Sequence, residues 1–268
     1  MPSEDPERAT VPELLVVLDR ATAALVRALE DLEANALTHA SLLAGWTRGH
    51  VVAHLANVAD ALVRMTADAR AGAPMSMYPG GRAQRDRDIA DAARAPASVL
   101  RDRFVHSSAQ LSAAWHAVTE TQWATTATEA ELGSMELGRL VALRLTEVEV
   151  HHADLAVGFG PQDWSRDLLS SCLPLRVAAL ARARHRADAH HAIDGTWMLV
   201  CDELESQWRV TARGDVVEFS GTDRADVVLS GSARDLVAFL LGRANVEMLA
   251  VRGDVRRAAM FKRAFPGP

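Results

Sequence analysis

The sequence predicts an α+β protein in which the helices come first and most strands come late. Between residues 11 and 155 apolar side chains recur mainly at helical spacing, whereas residues 196–229 hold short β-branched and aromatic runs separated by Gly, Asp and Ser. The pattern changes after the segment Gly158-Phe-Gly-Pro161. We therefore predict two domains, a helical bundle over residues 1–160 and a small α+β domain over residues 161–268.

Five helices are predicted in the first domain. Leucines at helical spacing, such as Leu14, Leu18 and Leu25, predict one long amphipathic helix over residues 11–38. A second helix begins at Thr47, a residue type that caps helix N-termini, and runs to about Ala67. The run Pro79-Gly-Gly predicts a turn. The other helices are predicted to start near residue 83 or 87, to cover residues 96–119, and to start near residue 135.

The second domain begins with a predicted helix at about residues 165–187. Strands are then predicted over residues 196–201, 207–211, 216–219 and 225–229. Ser232 is a candidate N-cap for a helix that ends near Leu241, and a further strand is predicted to end in a turn at Gly253. The mixture of short strands and helices predicts a small sheet with helices packed on it.

Composition and charge exclude several classes of protein. The chain has 268 residues, 49% of them hydrophobic and 24% charged, which is typical of folded globular proteins. We find no signal-peptide pattern and no apolar run of about 20 residues, so we expect a cytoplasmic protein without a membrane partner. A net charge of -6 with interspersed signs gives no reason to expect nucleic acid. Cys172 and Cys201 are far apart, which argues against a disulfide framework and a thiolate zinc site.

One pair of residues predicts a metal site. Glu147 and His151 are four residues apart in a helical pattern, so both side chains lie on one helix face. A catalytic zinc site usually takes three protein ligands, and the helix that begins at Thr47 offers His50 and His54. We favour His54, because it lies beside the apolar stripe while His50 is near the helix start. The alternative is an exposed ion pair between Glu147 and His151.

Three segments carry a resemblance to a known family. The sequences GWTRGHVVAHLANVADAL, MYPGGRAQRDRDIADAA and RLTEVEVHHADLAVGF, in this order, resemble the mycothiol-dependent maleylpyruvate isomerase family, a branch of the DinB-like metalloproteins. Residues 225–255 are also similar to the C-terminal domain of that family. The resemblance implies a DinB-like four-helix bundle, a small sterol-carrier-like α+β domain, and one divalent metal, expected to be zinc, on His54, Glu147 and His151. The chain departs from the expected pattern at Asn57, which arrives one position early.

The resemblance also implies an activity. Mycothiol would be the cofactor, since the chain has no cysteine near the motif. Its thiolate would add to the cis double bond of maleylpyruvate, the new single bond would rotate, and elimination would give fumarylpyruvate in the gentisate pathway. The expected partners are thus a small thiol and a small electrophile, and we expect a monomer. Two alternatives stay open: a mycothiol S-transferase that acts on another electrophile, and a non-catalytic DinB-like protein.

Further site residues are predicted from the needs of a dicarboxylate substrate. Arginine binds carboxylates well, and Arg82 and Arg85 follow the Tyr78 segment. We predict Arg82 as catalytic and interpret Arg85 as a surface or helix-capping residue. The family implies a catalytic arginine from the C-terminal domain, and Arg243 is the best match, with Arg252 as the second choice.

Three residues are candidates for binding the thiol cofactor: Tyr78, Asp154 and Arg252. Asp154 could instead accept a hydrogen bond from an imidazole. Trp46 is interpreted as a packing contact at the start of its helix.

Overall fold

The computed structural model describes residues 9–33, 35–129, 133–185, 193–219 and 224–267. The chain divides into two compact units, residues 1–168 and residues 169–268, where the sequence predicts a boundary near Gly160. The first unit is mainly helical and the second contains a mixed sheet. The predicted α+β class is therefore confirmed.

The first unit is built on four long helices and one shorter helix. They are α1 (Val11–Glu30), α2 (Arg48–Arg70), α3 (Gly81–Ala92), α4 (Ala97–His116) and α5 (Arg139–Asp154). The first helix ends earlier than predicted, and Ala36–Thr38 forms a separate 3-10 turn. Asp31 and Asn35 lie in this interval, and such short polar side chains favour turns over helix interiors.

The helix α2 is the central element of this unit. Thr47 caps it as predicted, because the Thr47 side chain accepts a hydrogen bond from the backbone N–H of His50. The helix packs against α4 and α5, and α1 packs against the same two helices. Leu25, Leu55, Phe104 and Leu145 bring one buried side chain from each of these helices into the core. This packing holds α2 beside α5, so that His54 of α2 contacts Glu147 of α5.

The start of α5 was predicted wrongly. We expected the helix to open near Met135, but Thr126–Glu129 (β1) and Gly133–Glu136 (β2) form an antiparallel pair in which Met135 lies opposite Ala127. The β-branched threonines at 125, 126 and 128 favour extended backbone. The helix begins only at Arg139, after Gly138.

The second unit combines a five-stranded sheet with short helices. After α6 (Arg166–Ala178) and α7 (Leu180–His185), the elements are β3 (Gly195–Cys201), β4 (Ser206–Arg213), β5 (Val216–Glu218), β6 (Val227–Gly231), α8 (Ala233–Leu240), β7 (Ala250–Gly253), α9 (Val255–Ala259) and α10 (Phe261–Ala264). The strand order is β5-β4-β3-β6-β7, and only the β3–β6 pair is parallel. Ser232 caps α8 as predicted.

Two features of this unit differ from the prediction. The helix expected at residues 165–187 is divided into α6 and α7, and α6 holds Pro174 in its interior. The helices α9 and α10 were not predicted; Phe261 and Phe265 of this segment pack on Trp197 of β3. None of the helices among the described residues combines the length and the apolar character needed to cross a membrane.

Gly253 is expected to be essential for the stability of the sheet. Its φ is +99°, and a Cβ atom there would lie 2.4 Å from the carbonyl oxygen of Asp226. We expect Gly253→Ala to lower the free energy of unfolding by about 3 kcal/mol, because the clash involves backbone as well as an unfavourable φ. Gly72, with a φ of +71° and open space around it, is the matched control.

The control variant Gly72→Ala is expected to cost about 1 kcal/mol, since only the backbone conformation is penalised. Urea unfolding followed by circular dichroism measures both variants. Equal losses of stability in the two variants would show that the clash with Asp226 does not contribute to the effect of Gly253→Ala.

Candidate metal centre

The structure brings His54, Glu147 and His151 together. The Glu147 Oε2 atom lies 2.8 Å from His54 Nε2 and 3.3 Å from His151 Nε2. The two imidazole rings meet edge to face with centroids 4.8 Å apart. One ligand atom from each residue lies within 4.8 Å of the others. Two imidazole nitrogens and one carboxylate are a donor set found in catalytic zinc sites, so these residues could hold one divalent ion.

The electrostatics of the cluster keep His54 neutral and Glu147 ionised. Burial lowers the pKa of His54 to about 4, despite the hydrogen bond and charge of Glu147, so the ring is neutral near pH 7. Burial alone would raise the pKa of Glu147, but hydrogen bonds with His151 and His54 hold it well below its ordinary value. A neutral imidazole and an ionised carboxylate are the ligand forms that bind metals.

Asp154 orients His151. Its side chain is 1% exposed, and its Oδ2 atom lies 2.8 Å from His151 Nδ1. A carboxylate at this position accepts a hydrogen bond from Nδ1–H, which leaves Nε2, the nitrogen that faces Glu147, as the one that could bind a metal. Burial opposes a charged ring, but Asp154 and Glu147 together raise the pKa of His151. The geometry thus matches the imidazole-acceptor role considered for Asp154, and its contact with a cofactor stays a prediction.

Replacing Asp154 by asparagine should weaken metal binding. We expect the affinity for Zn²⁺ to fall about 10- to 100-fold, the range for residues that orient a metal ligand. The asparagine amide can donate to Nδ1 and would then favour the ring form with its proton on Nε2. Competition with a chromophoric chelator measures the affinity. The surface variant Asp91→Asn is the control, and an unchanged affinity in Asp154→Asn would contradict the role of Asp154.

Arg85 reaches the cluster from α3. Its Nη2 atom lies 3.3 Å from His54 Nδ1, and its guanidinium carbon is 5.9 Å from the Trp46 ring and 5.6 Å from the Tyr78 ring. The side chain also pairs with Asp86. The sequence interpretation of Arg85 as a surface residue did not foresee this position. Ile89, the buried residue of α3, lies four positions later on the same face and was the available signal.

Trp46 and Tyr78 both lie close to the Arg85 guanidinium. Trp46, interpreted as a packing contact, has its ring 5.6 Å from the ring of His54. Tyr78, a predicted cofactor residue, has its ring 5.6 Å from the guanidinium carbon of Arg85. Arg82 is exposed at the start of α3. The roles predicted for Tyr78 and Arg82 stay predictions.

The side chains of the residues that neighbour Glu147 and His151 on α5 make other contacts. The His152 ring stacks on Phe159 with centroids 4.2 Å apart. Glu149 accepts a hydrogen bond of 2.7 Å from the backbone N–H of Ser165. These contacts distinguish Glu147 and His151 from their neighbours. Asn57, where the family pattern is broken, accepts a hydrogen bond from Arg103.

Arg243 and Arg252, the two arginines of the second unit that the sequence singles out, lie in different surroundings. Arg243 follows α8, is half-buried, and donates a hydrogen bond to the carbonyl of Leu241. Arg252 is exposed on β7, where it lies opposite Val228 of β6. Their catalytic and cofactor-binding roles stay predictions.

Comparison with known proteins gives matches of two kinds, to a family model and to solved structures. A family model described as the mycothiol maleylpyruvate isomerase N-terminal domain matches residues 18–156, just over half of the chain. Crystal structures of the mycothiol-dependent maleylpyruvate isomerase and of a histidine-to-alanine mutant of it are similar, each with a TM-score of 0.72, at 24% and 23% identity. Each match covers 92% of this chain and 95% of the other. At this identity the likeness shows the fold. No curated protein matches the chain.

Proposed function

Because the chain belongs to the mycothiol maleylpyruvate isomerase N-terminal domain family, we propose that it is a mycothiol-dependent, divalent-metal enzyme that isomerises maleylpyruvate to fumarylpyruvate. The observation that carries the proposal is the convergence of His54, Glu147 and His151 within the matched region. The first unit would be a DinB-like four-helix bundle, which the mutual packing of α1, α2, α4 and α5 supports. The second unit would be the sterol-carrier-like domain.

The three clustered residues would hold the metal, which we expect to be zinc. When bound, such an ion lowers the pKa of a coordinated thiol, so that the nucleophilic thiolate is present near neutral pH. Three protein ligands leave room for one exogenous group. With a metal bound, Asp154 would hold the proton of His151 on Nδ1, so that Nε2 and the ionised Glu147 carboxylate would both be ligands.

The sulfur nucleophile would come from a small molecule. The sequence has two cysteines, Cys172 and Cys201, and both are buried in the second unit. The first unit, which carries the clustered ligands, contains no cysteine. A thiol that acts at this cluster therefore fits a cofactor such as mycothiol, in agreement with the family.

We propose Arg85, in preference to Arg82, as the arginine of the first unit that binds a substrate carboxylate. When Nε2 of a histidine serves as a metal ligand, its Nδ1 carries the ring proton, and arginine has only donors. The Arg85 guanidinium could then no longer donate a hydrogen bond to His54 Nδ1, so it would need another acceptor. A carboxylate of maleylpyruvate supplies that acceptor, while the Trp46 and Tyr78 rings contact the guanidinium. Arg243, with Arg252 as second choice, remains the proposed arginine of the second unit.

Spectroscopy of cobalt-substituted protein tests the proposed thiol activation. Addition of mycothiol should produce a thiolate-to-cobalt charge-transfer band, because the thiol would bind the metal in its deprotonated form. The band should be lost in His54→Ala and kept in His50→Ala, since His50 Nδ1 contacts the cap residue Thr47. Absence of the band from the parent protein, or its persistence in His54→Ala, would overturn the proposed site.

A further inference from the structure

A cavity lies in the first unit between α1 and α4, which carry none of the three clustered residues. It is formed by α1 between Leu18 and Arg27 and by α4 between Val105 and Ser112, with Arg144 of α5 in its wall, and we call it the α1/α4 groove. Its volume is about 380 Å³, within the range of about 300–1,000 Å³ that small-molecule sites occupy. None of the three clustered metal-ligand candidates lines it.

The groove exists because small side chains face one another across the two helices. Thr22 and Ala23 on α1 lie on the groove, as do Ser108 and Ala109 on α4. Packed helices normally fill the space between their axes with interlocking side chains. Small residues on both helices leave that volume open. The lining is mainly apolar, with Val26 and Val105 adding branched side chains.

Arg144 is a buried cation in the wall of this groove. It is 1% exposed, and its guanidinium donates to the carbonyl oxygen of Leu55 at 2.8 Å and to Ser108 Oγ at 3.4 Å. Both acceptors are neutral, and among the described residues the carboxylates of Glu147 and Asp60 attract Arg144 only from beyond ion-pair distance. A buried charge is costly unless an opposite charge or several hydrogen bonds compensate it. An anion placed beside Ser108 would provide that compensation.

The other charges of the groove are compatible with an anionic ligand. Arg27 is exposed on α1 and adds a second cation to the lining. Asp19 adds one carboxylate, whose oxygens already accept hydrogen bonds from Ser112 at 3.0 Å and from His116 at 2.9 Å. The lining therefore holds two cations and one carboxylate that is already bonded.

We propose that the α1/α4 groove binds a small carboxylic acid with an apolar body. The carboxylate would lie beside Arg144 and Ser108, and the apolar body would pack on Val26, Val105 and Ala109. This ligand differs from the thiol and substrate of the proposed isomerase, and the inference does not rest on that function.

Calorimetric titration of the full-length protein tests the proposal, with hexanoate as the probe and hexan-1-ol as its uncharged counterpart. We expect hexanoate to bind at one site per chain and at least about tenfold more tightly than hexan-1-ol, since a bond from a buried charged donor contributes about 1.5–3 kcal/mol. Hexanoate that fails to bind, or binds no better than hexan-1-ol, would overturn the proposal.

Two variants locate the binding. Ala109→Phe fills the groove and should weaken hexanoate binding at least tenfold, whereas Ala113→Phe, an exposed position of α4 outside the lining, should leave it within twofold. Arg144→Met should reduce hexanoate affinity to that of hexan-1-ol. Thermal unfolding verifies that each variant is folded. Binding to Ala109→Phe with unchanged affinity would place hexanoate elsewhere and overturn the groove as its site.

Discussion

Replacement of Glu147 by glutamine is expected to lower the affinity for Zn²⁺ by more than about 100-fold, because even residues that only orient a ligand change metal affinity about 10- to 100-fold. Glu147 Oε2 lies within 3.3 Å of both imidazole Nε2 atoms, so it occupies the centre of the cluster. Glutamine keeps the shape but removes the charge that a divalent ion needs. Chelator competition and metal analysis measure the loss.

The neighbouring glutamate is a matched control for this prediction. Glu149 is buried on the same helix, but its carboxylate accepts from the backbone N–H of Ser165. Glu149→Gln should therefore leave the affinity for Zn²⁺ unchanged while lowering stability modestly. Equal metal affinities in the two variants would mean that Glu147 is not a ligand.

Replacement of Arg85 by methionine is expected to reduce kcat/KM for maleylpyruvate about 100-fold without loss of metal. Removing one donor that stabilises charge in a transition state typically lowers the rate by a factor of about 100 to 1,000, and we expect an effect of this order for the arginine that binds a substrate carboxylate. Methionine retains an apolar stem against Trp46 and Tyr78, so the helix α3 should keep its place. The measurement is initial-rate kinetics together with metal content.

The matched variant for Arg85 is Arg82→Met on the same helix. Arg82 is exposed at the start of α3, and its removal should change kcat/KM only slightly. If Arg82→Met is the more damaged variant, the substrate-binding role belongs to Arg82, as the sequence alone predicts, and our preference for Arg85 is wrong.

The clustering of His54, Glu147 and His151 was predictable from the sequence because the spacing of two of them is local. Glu147 and His151 are one turn apart on a single helix, so their shared face follows from helix geometry. The choice of His54 over His50 also followed from position, since His50 lies in the first turn and its ring contacts Thr47. The prediction also required α2 to lie beside α5, and burial of the apolar stripe of α2 favours that packing.

Features that depend on the packing of non-neighbouring elements could not be predicted. Arg85 approaches His54 only because α3 lies against α2, and its own sequence surroundings are polar. The β1–β2 pair was missed because its two strands have four residues each, too short for a clear alternating pattern. The α1/α4 groove arises from small residues on two helices about 85 positions apart in the chain, and such a coincidence has no local signature.

The central claim is that His54, Glu147 and His151 hold a metal that activates mycothiol for isomerisation of maleylpyruvate. Its most direct test is a spectrophotometric assay of zinc-loaded protein with maleylpyruvate, with and without mycothiol, beside the His54→Ala and His50→Ala variants. We predict formation of fumarylpyruvate that requires the thiol, is retained in His50→Ala and is lost in His54→Ala. Full activity in His54→Ala or without a thiol would contradict the claim, and thiol and zinc binding without isomerisation would indicate an S-transferase instead.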